Sequence, residues 1–321
     1  MALSAILSDR GITIAQVLMP RWIAWTLLTL VSWGIWAILF RLLDEQLSPA
    51  HSQALSTLGV LPVLMALVLV RDSPATGHHW RGVGLAFGSG IVSCLGNIAC
   101  YEALSHAKAA TIIPLTALYP VVTVLLAVPL LKERLNLLQS VGIALSLSAI
   151  YLFINAPTES DLVADWKAKE LLLPLAAIVL WGVTGLMQKA ATNCISARTT
   201  AIWFLAAFIP VAGAILASDP IDSAVPPSAW ALSIALGFTL ALGNFTLLQA
   251  FACGGKASII APLAGLYPLV SIPIALVGFH ERLTWRESSG IVLALAAVVL
   301  LSLQSETDTV APATLDTDAS L

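Results

Sequence analysis

Aromatic and amide side chains at mid-depth of long apolar runs are the groups in this sequence with chemistry to offer. Trp33 and Trp181 are each followed by glycine. Each lies about 16 Å along its helix from Trp22 or Glu170, at 1.5 Å per residue. Tryptophan ordinarily collects at the membrane interface, where Trp22, Trp80, Trp166 and Trp285 fall. A repeated tryptophan at depth is therefore either an aromatic wall for a solute or a close-packed Trp-Gly contact. Trp36 follows Trp33 by one turn, and Thr184 and Gln188 follow Trp181 on its helix face. Asn97 and Asn244 need partners that lipid does not offer, so each bonds a neighbouring helix or a solute. Gly90, Cys94, Asn97 and Tyr101 share one face. Glu102, beside Tyr101, either titrates and binds an amine or is simply solvated. Thr116, Tyr119 and Thr123 are expected on one face of a proline-interrupted span, with Tyr267 and Ser271 on the corresponding one. A Pro-broken segment at matching positions in two halves points to a transport site, or else to a kink that curves the helix.

Other chemistries lack their residues. There is no HExxH, GxSxG or P-loop, and no intramembrane aspartate pair. His51, His78, His79, His106 and His280 fall near loops rather than in a cluster, and Cys94, Cys100, Cys194 and Cys253 lack metal-ligand spacing. No catalytic residue, metal or cofactor is expected. A net charge of −3 gives no basic excess for nucleic acid. Nothing resembles a channel's selectivity filter or ring of like charges.

The elements that position these groups follow from composition. The 321 residues are 59% hydrophobic and 10% charged, with mean hydropathy +0.93, too apolar for a soluble chain. Runs of roughly 20 apolar residues cross a bilayer. Such runs extend from Trp22 to Leu43, Ala54 to Val70, Gly82 to Leu104, Ala109 to Leu131 and Leu137 to Asn155. Five more extend from Leu171 to Ala191, Thr199 to Ala217, Ser228 to Cys253, Ala257 to Phe279 and Arg286 to Leu303. Asp9 and Arg10 interrupt the opening stretch, so no cleaved signal is expected.

Self-comparison at a shift of 148 superposes AKAATIIPLTALYPVV, from Ala107, on GKASIIAPLAGLYPLV, from Gly255. The same shift pairs Trp33-Gly34 with Trp181-Gly182, Pro62 with Pro210, Arg41 with Lys189, and Glu133-Arg134-Leu135 with Glu281-Arg282-Leu283. One shift matching several spans marks a tandem duplication. Residues 22–155 form the first repeat and 171–303 the second, with a segment at 1–21, a charged link at 156–170 and an acidic tail at 304–321. Five spans per repeat is odd, so the halves enter from opposite faces. The fold expected is an all-α integral membrane protein, ten transmembrane helices as two inverted five-helix repeats around a central cavity. Glu133 and Glu281 read as bonding local arginines or backbone amides, and Arg41 and Lys189 as snorkelling to the interface. Arg71 to Arg81 is richer in basic residues than the loop at Asp219 and Asp222, which sets both termini inside. Gly84-x-x-x-Gly88, Gly142-x-x-x-Ser146 and Gly290-x-x-x-Ala294 are small-residue faces for helix packing, with homodimer formation the secondary reading.

The repeated Pro-x-x-x-x-Tyr-Pro run, followed by Lys-Glu-Arg-Leu or His-Glu-Arg-Leu and a Gly-containing span, resembles the EamA domain of the drug/metabolite transporter superfamily. The resemblance implies a basket with spans one, three, four, six, eight and nine around the cavity, and bacterial relatives that export amino acids and other metabolites. Small multidrug relatives carry a glutamate in the first span, which Thr26 to Phe40 lacks. Phosphate-carrying relatives would be expected to place Lys or Arg deep in the pathway, whereas here the basic residues fall at span ends. The expected solute is a small neutral, zwitterionic or amphipathic metabolite, amino-acid-like, leaving a bacterial cell across its inner membrane.

Overall fold

The computed structural model describes residues 21–44, 46–69, 79–131, 137–154, 164–221, 225–253, 260 and 263–302. Several features of the sequence reading lie outside them: the opening segment, residues 71–78 of the arginine loop, Glu133 and Arg134, most of the link, Lys256, Pro262 and the acidic tail. Among the described residues every regular element is a helix. In chain order they are α1 (Arg21–Leu43), α2 (Pro49–Leu69), α3 (His79–His106), α4 (Ala109–Thr116), α5 (Tyr119–Leu131), α6 (Leu137–Ile154), α7 (Ala164–Thr192), α8 (Ala197–Ala206), α9 (Phe208–Ser218), α10 (Pro227–Ala252), α11 (Pro268–Gly278) and α12 (Trp285–Ser302). Among the described residues, six helical stretches, including α8 and α9 taken together, are long and apolar enough to cross a membrane.

Departures from the expected spans have local causes. α2 begins at Pro49 rather than Ala54. The Ser48 hydroxyl accepts the His51 N–H at 3.2 Å, and proline at the first helical position has no N–H to satisfy. A search for apolar residues overlooks that polar first turn. The fourth span divides at Ala117–Leu118 ahead of Pro120, and tight turns bridge the break: the Leu118 N–H bonds Leu115 O at 3.1 Å and the Val121 N–H bonds Leu118 O at 3.0 Å. The corresponding bonds recur in the second half, from Leu266 to Leu263 O at 3.1 Å and from Leu269 to Leu266 O at 2.9 Å, ahead of Pro268. Pro210 similarly follows a break at Ala207 between α8 and α9, whereas Pro62 lies within the continuous α2.

The main packing partners of each half lie in the other half. α1 packs along α10, α3 along α7, α2 along α10 and α6 along α12. The contacts are reciprocal. A Cβ placed on Gly34 would lie 2.6 Å from Val270 Cβ and 3.1 Å from Tyr267 O, and one placed on Gly182 would lie 2.5 Å from Val122 Cβ and 3.1 Å from Tyr119 O. Gly90 abuts the Phe204 carbonyl, as Gly237 abuts that of Ser56. Contacts in which each residue meets the other's counterpart are the mark of a two-fold relation. Such a two-fold relation between halves is the one expected of inverted repeats. Thr29 and Thr246 add a buried hydroxyl pair at 2.8 Å between α1 and α10.

Candidate solute site

Each deep tryptophan lies on a glycine and is closed by a tyrosine. Trp181 packs its Cδ1–Nε1 edge on Gly96, where an added Cβ would come within 2.7 Å, and Trp33 packs the same edge on Gly243. Tyr119 meets Trp181 edge-on at 6.2 Å and 86°, as Tyr267 meets Trp33 at 6.3 Å and 85°. The helix breaks bring the tyrosines here, since Tyr119 opens α5 and Tyr267 immediately precedes α11. Both readings of the Trp-Gly pair therefore apply at once: the indoles are tightly packed, and they belong to an aromatic cluster drawn from both repeats.

Other residues complete the cluster in the first half only. Trp36 Nε1 donates to Tyr101 Oη at 2.9 Å, its ring lies 5.7 Å from that of Trp181, and Tyr101 stacks on Phe40 at 4.2 Å and 6°. At the shift of 148, Trp36 and Phe40 become Thr184 and Gln188. Thr184 donates to Leu180 O at 2.9 Å within its helix and reaches Ser89 O at 3.4 Å across the halves. Trp181 Nε1 donates to Asn97 Oδ1 at 3.1 Å. Thr116 bonds its own helix at Ile112 O, 3.0 Å away, and lies 3.5 Å from Tyr267 Oη. Thr123 donates to Gly182 O at 3.0 Å. Ser271 Oγ, Asn97 Nδ2 and Trp33 Nε1 are buried without a hydrogen-bond partner.

Thus hydrogen bonds and ring contacts join Trp36, Asn97, Tyr101, Tyr119 and Trp181 in one group and Trp33, Thr116 and Tyr267 in another, and Trp36, Tyr101 and Tyr267 share one buried core cluster against which Trp33 and Trp181 pack. The break corrects the expected common face: Thr116 ends α4 and turns to Tyr267, whereas Tyr119 begins α5 and turns to Trp181. Thr123 and Thr184 flank Trp181 through backbone carbonyls. Asn244 bonds Leu240 O of its own helix at 2.9 Å. Gln188 is half-buried on α7. Glu102 stands apart, bonding His106 at 3.2 Å at the end of α3 with its side chain 42% exposed. Tyr101 and Thr116 are fully buried, and Trp33, Tyr119 and Trp181 half-buried. A pocket of about 420 Å³ lies instead on the perimeter, lined by Leu147, Ser148, Tyr151 and Leu152 of α6 and Leu293 of α12. Among the described residues no group of three or more His, Cys, Asp or Glu could hold a metal ion.

Tyr101→Phe tests the packing of this network. It keeps the stack on Phe40 but leaves the buried Trp36 N–H without an acceptor, an expected loss of about 1–3 kcal/mol. A lowered midpoint of thermal unfolding checks it; an unchanged midpoint would mean that the indole is not held by this bond.

Sequence reasoning overlooked a polar latch at one end of the bundle. Glu281 takes the backbone-amide alternative, with its partners in the other half: its two carboxylate oxygens accept the N–H groups of Ala109 and Ala110, at 2.9 and 2.8 Å. Lys108 Nζ donates to Arg282 O at 3.0 Å and lies 3.6 Å from Glu287 Oε1, which also accepts the Thr111 hydroxyl at 2.9 Å. His280, with φ 54°, makes the left-handed turn that leads into Glu281. The repeated Glu-Arg-Leu was the available signal, but it does not reveal a partner in the opposite repeat. Arg41 is likewise bound rather than only snorkelling, to Asp44 and to Leu104 O, each at 3.1 Å.

Comparison with known proteins adds three findings. The sequence profile of the EamA-like transporter family matches residues 20–155 and again residues 168–303. An uncharacterised protein of Methanocaldococcus jannaschii is 27% identical over 126 residues, which is 39% of this chain and 90% of the relative, so the relative has the length of one repeat. A crystal structure superposes with a TM-score of 0.61 at 18% identity over 86% of this chain and 96% of the other, a likeness of fold.

Proposed function

The chain belongs to the EamA-like transporter family, and from that premise we propose that it carries a small neutral, zwitterionic or amphipathic metabolite, amino-acid-like in size, out of the cell by alternating access. It is a multi-pass membrane protein of drug/metabolite transporter type. Both termini are assigned to the cytoplasmic side of a bacterial inner membrane, on the basic-residue asymmetry of the loops.

The observation that carries the reading is the aromatic network built from both repeats, holding the unpartnered buried donors Trp33 Nε1 and Asn97 Nδ2. Aromatic faces favour apolar parts of a solute, and fixed donors favour a carbonyl or carboxylate oxygen. Each of these unpaired donors can gain a bond when the solute arrives. Binding at an interface between inverted repeats then lets rocking of one half against the other expose the solute to either face.

The test is counterflow into liposomes carrying the full chain, with a mixed pool of labelled metabolites. Trp33→Ala, Asn97→Ala, Tyr119→Ala and Tyr267→Ala are each expected to lower uptake about tenfold or more, equivalent to about 1.4 kcal/mol. Uptake at the unaltered level by all four folded variants would overturn the site.

A further inference from the structure

Two repeat-related Trp-Gly, Gly-Asn and Tyr arrangements occur in this chain, and they are in different hydrogen-bonding states. Trp181 Nε1 donates to Asn97 Oδ1 at 3.1 Å, tying α7 to α3. Its counterpart Trp33 Nε1 is buried against Gly243 without a partner. Asn244, the residue after Gly243, turns its Nδ2 to Leu240 O at 2.9 Å instead. The immediate neighbours agree, with Trp-Gly on one helix, Gly-Asn on the other and a tyrosine edge at 6.2 or 6.3 Å, whereas the Trp36 ring beside Trp181 has Thr184 as its repeat counterpart. The residues that make the bond are present in both halves, so the sequence permits it in each.

We infer that Asn97 and Asn244 are alternating indole acceptors. The Trp181–Asn97 bond holds the conformer described here. In the oppositely facing conformer that bond opens and Trp33 bonds Asn244, tying α1 to α10. The two-fold relation supplies the reason, since exchanging the conformations of the halves produces a second state of opposite facing in which the Trp33–Asn244 pair takes the place of Trp181–Asn97. The inference rests on alternating access. Asn97 and Asn244 act in it as positioning residues that set the balance between two states.

The experiment uses the full chain in lipid nanodiscs and reads hydrogen exchange at Ala109 and Ala110, whose N–H groups are held by Glu281 across the halves. Asn97→Leu removes an acceptor from the described conformer and is expected to speed exchange there by about fivefold, the scale of one buried hydrogen bond. Asn244→Leu weakens the opposite conformer and is expected to slow it, and the double variant to return toward the unaltered rate. If an asparagine variant fails to fold, Trp181→Phe and Trp33→Phe remove the donors and carry the same respective signs. Shifts in one direction for both halves, or no shift in either, would overturn the inference. Counterflow on the same preparations separates the two readings. Absent uptake by the unaltered chain alongside opposite exchange shifts counts against transport alone; normal uptake with matching or absent shifts counts against the alternation alone.

Discussion

Gly237→Ala is expected to cost about 3 kcal/mol or more and to deplete the folded protein, because the added Cβ would collide with the Ser56 carbonyl. The obstacle is backbone, so no side chain can rotate aside. The same contact is built from the other side, where a Cβ on Gly59 would meet Ile234 O and Phe238 N. Both helices would have to separate along α2–α10, one of the main interfaces between the repeats. Gly213→Ala and Gly278→Ala are the controls, since nothing lies within 4 Å of either added Cβ. Within α9, Gly213→Ala should be neutral or stabilising by up to about 1 kcal/mol. Thermal unfolding of the purified variants, followed by circular dichroism, separates the cases. A Gly237→Ala protein that melts with the unaltered one would mean that these backbones do not touch.

Glu281→Ala is expected to have the second largest effect. It removes both acceptors from the first two N–H groups of α4 and takes a negative charge from that helix's N-terminus. Cap losses run at about 0.5–2 kcal/mol and the charge adds about 0.3–1 kcal/mol, so a loss near 2 kcal/mol is expected. Because the bond spans the two halves, the loss should appear both as a lower unfolding midpoint and as faster protease cutting near Lys108. Glu281→Gln keeps one carbonyl acceptor and should fall between. Equal behaviour of Ala and Gln variants, both at the unaltered level, would show that Glu281 does not hold α4.

The single shift of 148 made much of this architecture legible, since it pairs Trp33 with Trp181, Tyr119 with Tyr267, and Pro120 with Pro268. It identifies which residues are equivalent, but it is silent on what each one touches. The tyrosine of one repeat closes over the tryptophan of the other, and no periodicity within a span encodes that crossing. The small-residue spacing of Gly84-x-x-x-Gly88 suggested close packing, yet an added Cβ at Gly84 has nothing within 4 Å. The crowded positions, Gly59, Gly90 and Gly237, stand out only once the facing backbone is known. Polar starts escape a search for apolar runs because their role is to satisfy N–H groups at helix ends, which hydropathy does not weigh.

The pairing of α1 with α10 and α3 with α7 also constrains how the chain matures. As it leaves the ribosome, the first repeat reaches the bilayer while the helices it will pack against are still untranslated, so lipid must stand in for them. Insertion and assembly are then successive stages, and the nascent N-terminal half depends on its own apolarity, rather than on a finished core, to stay in place until synthesis ends.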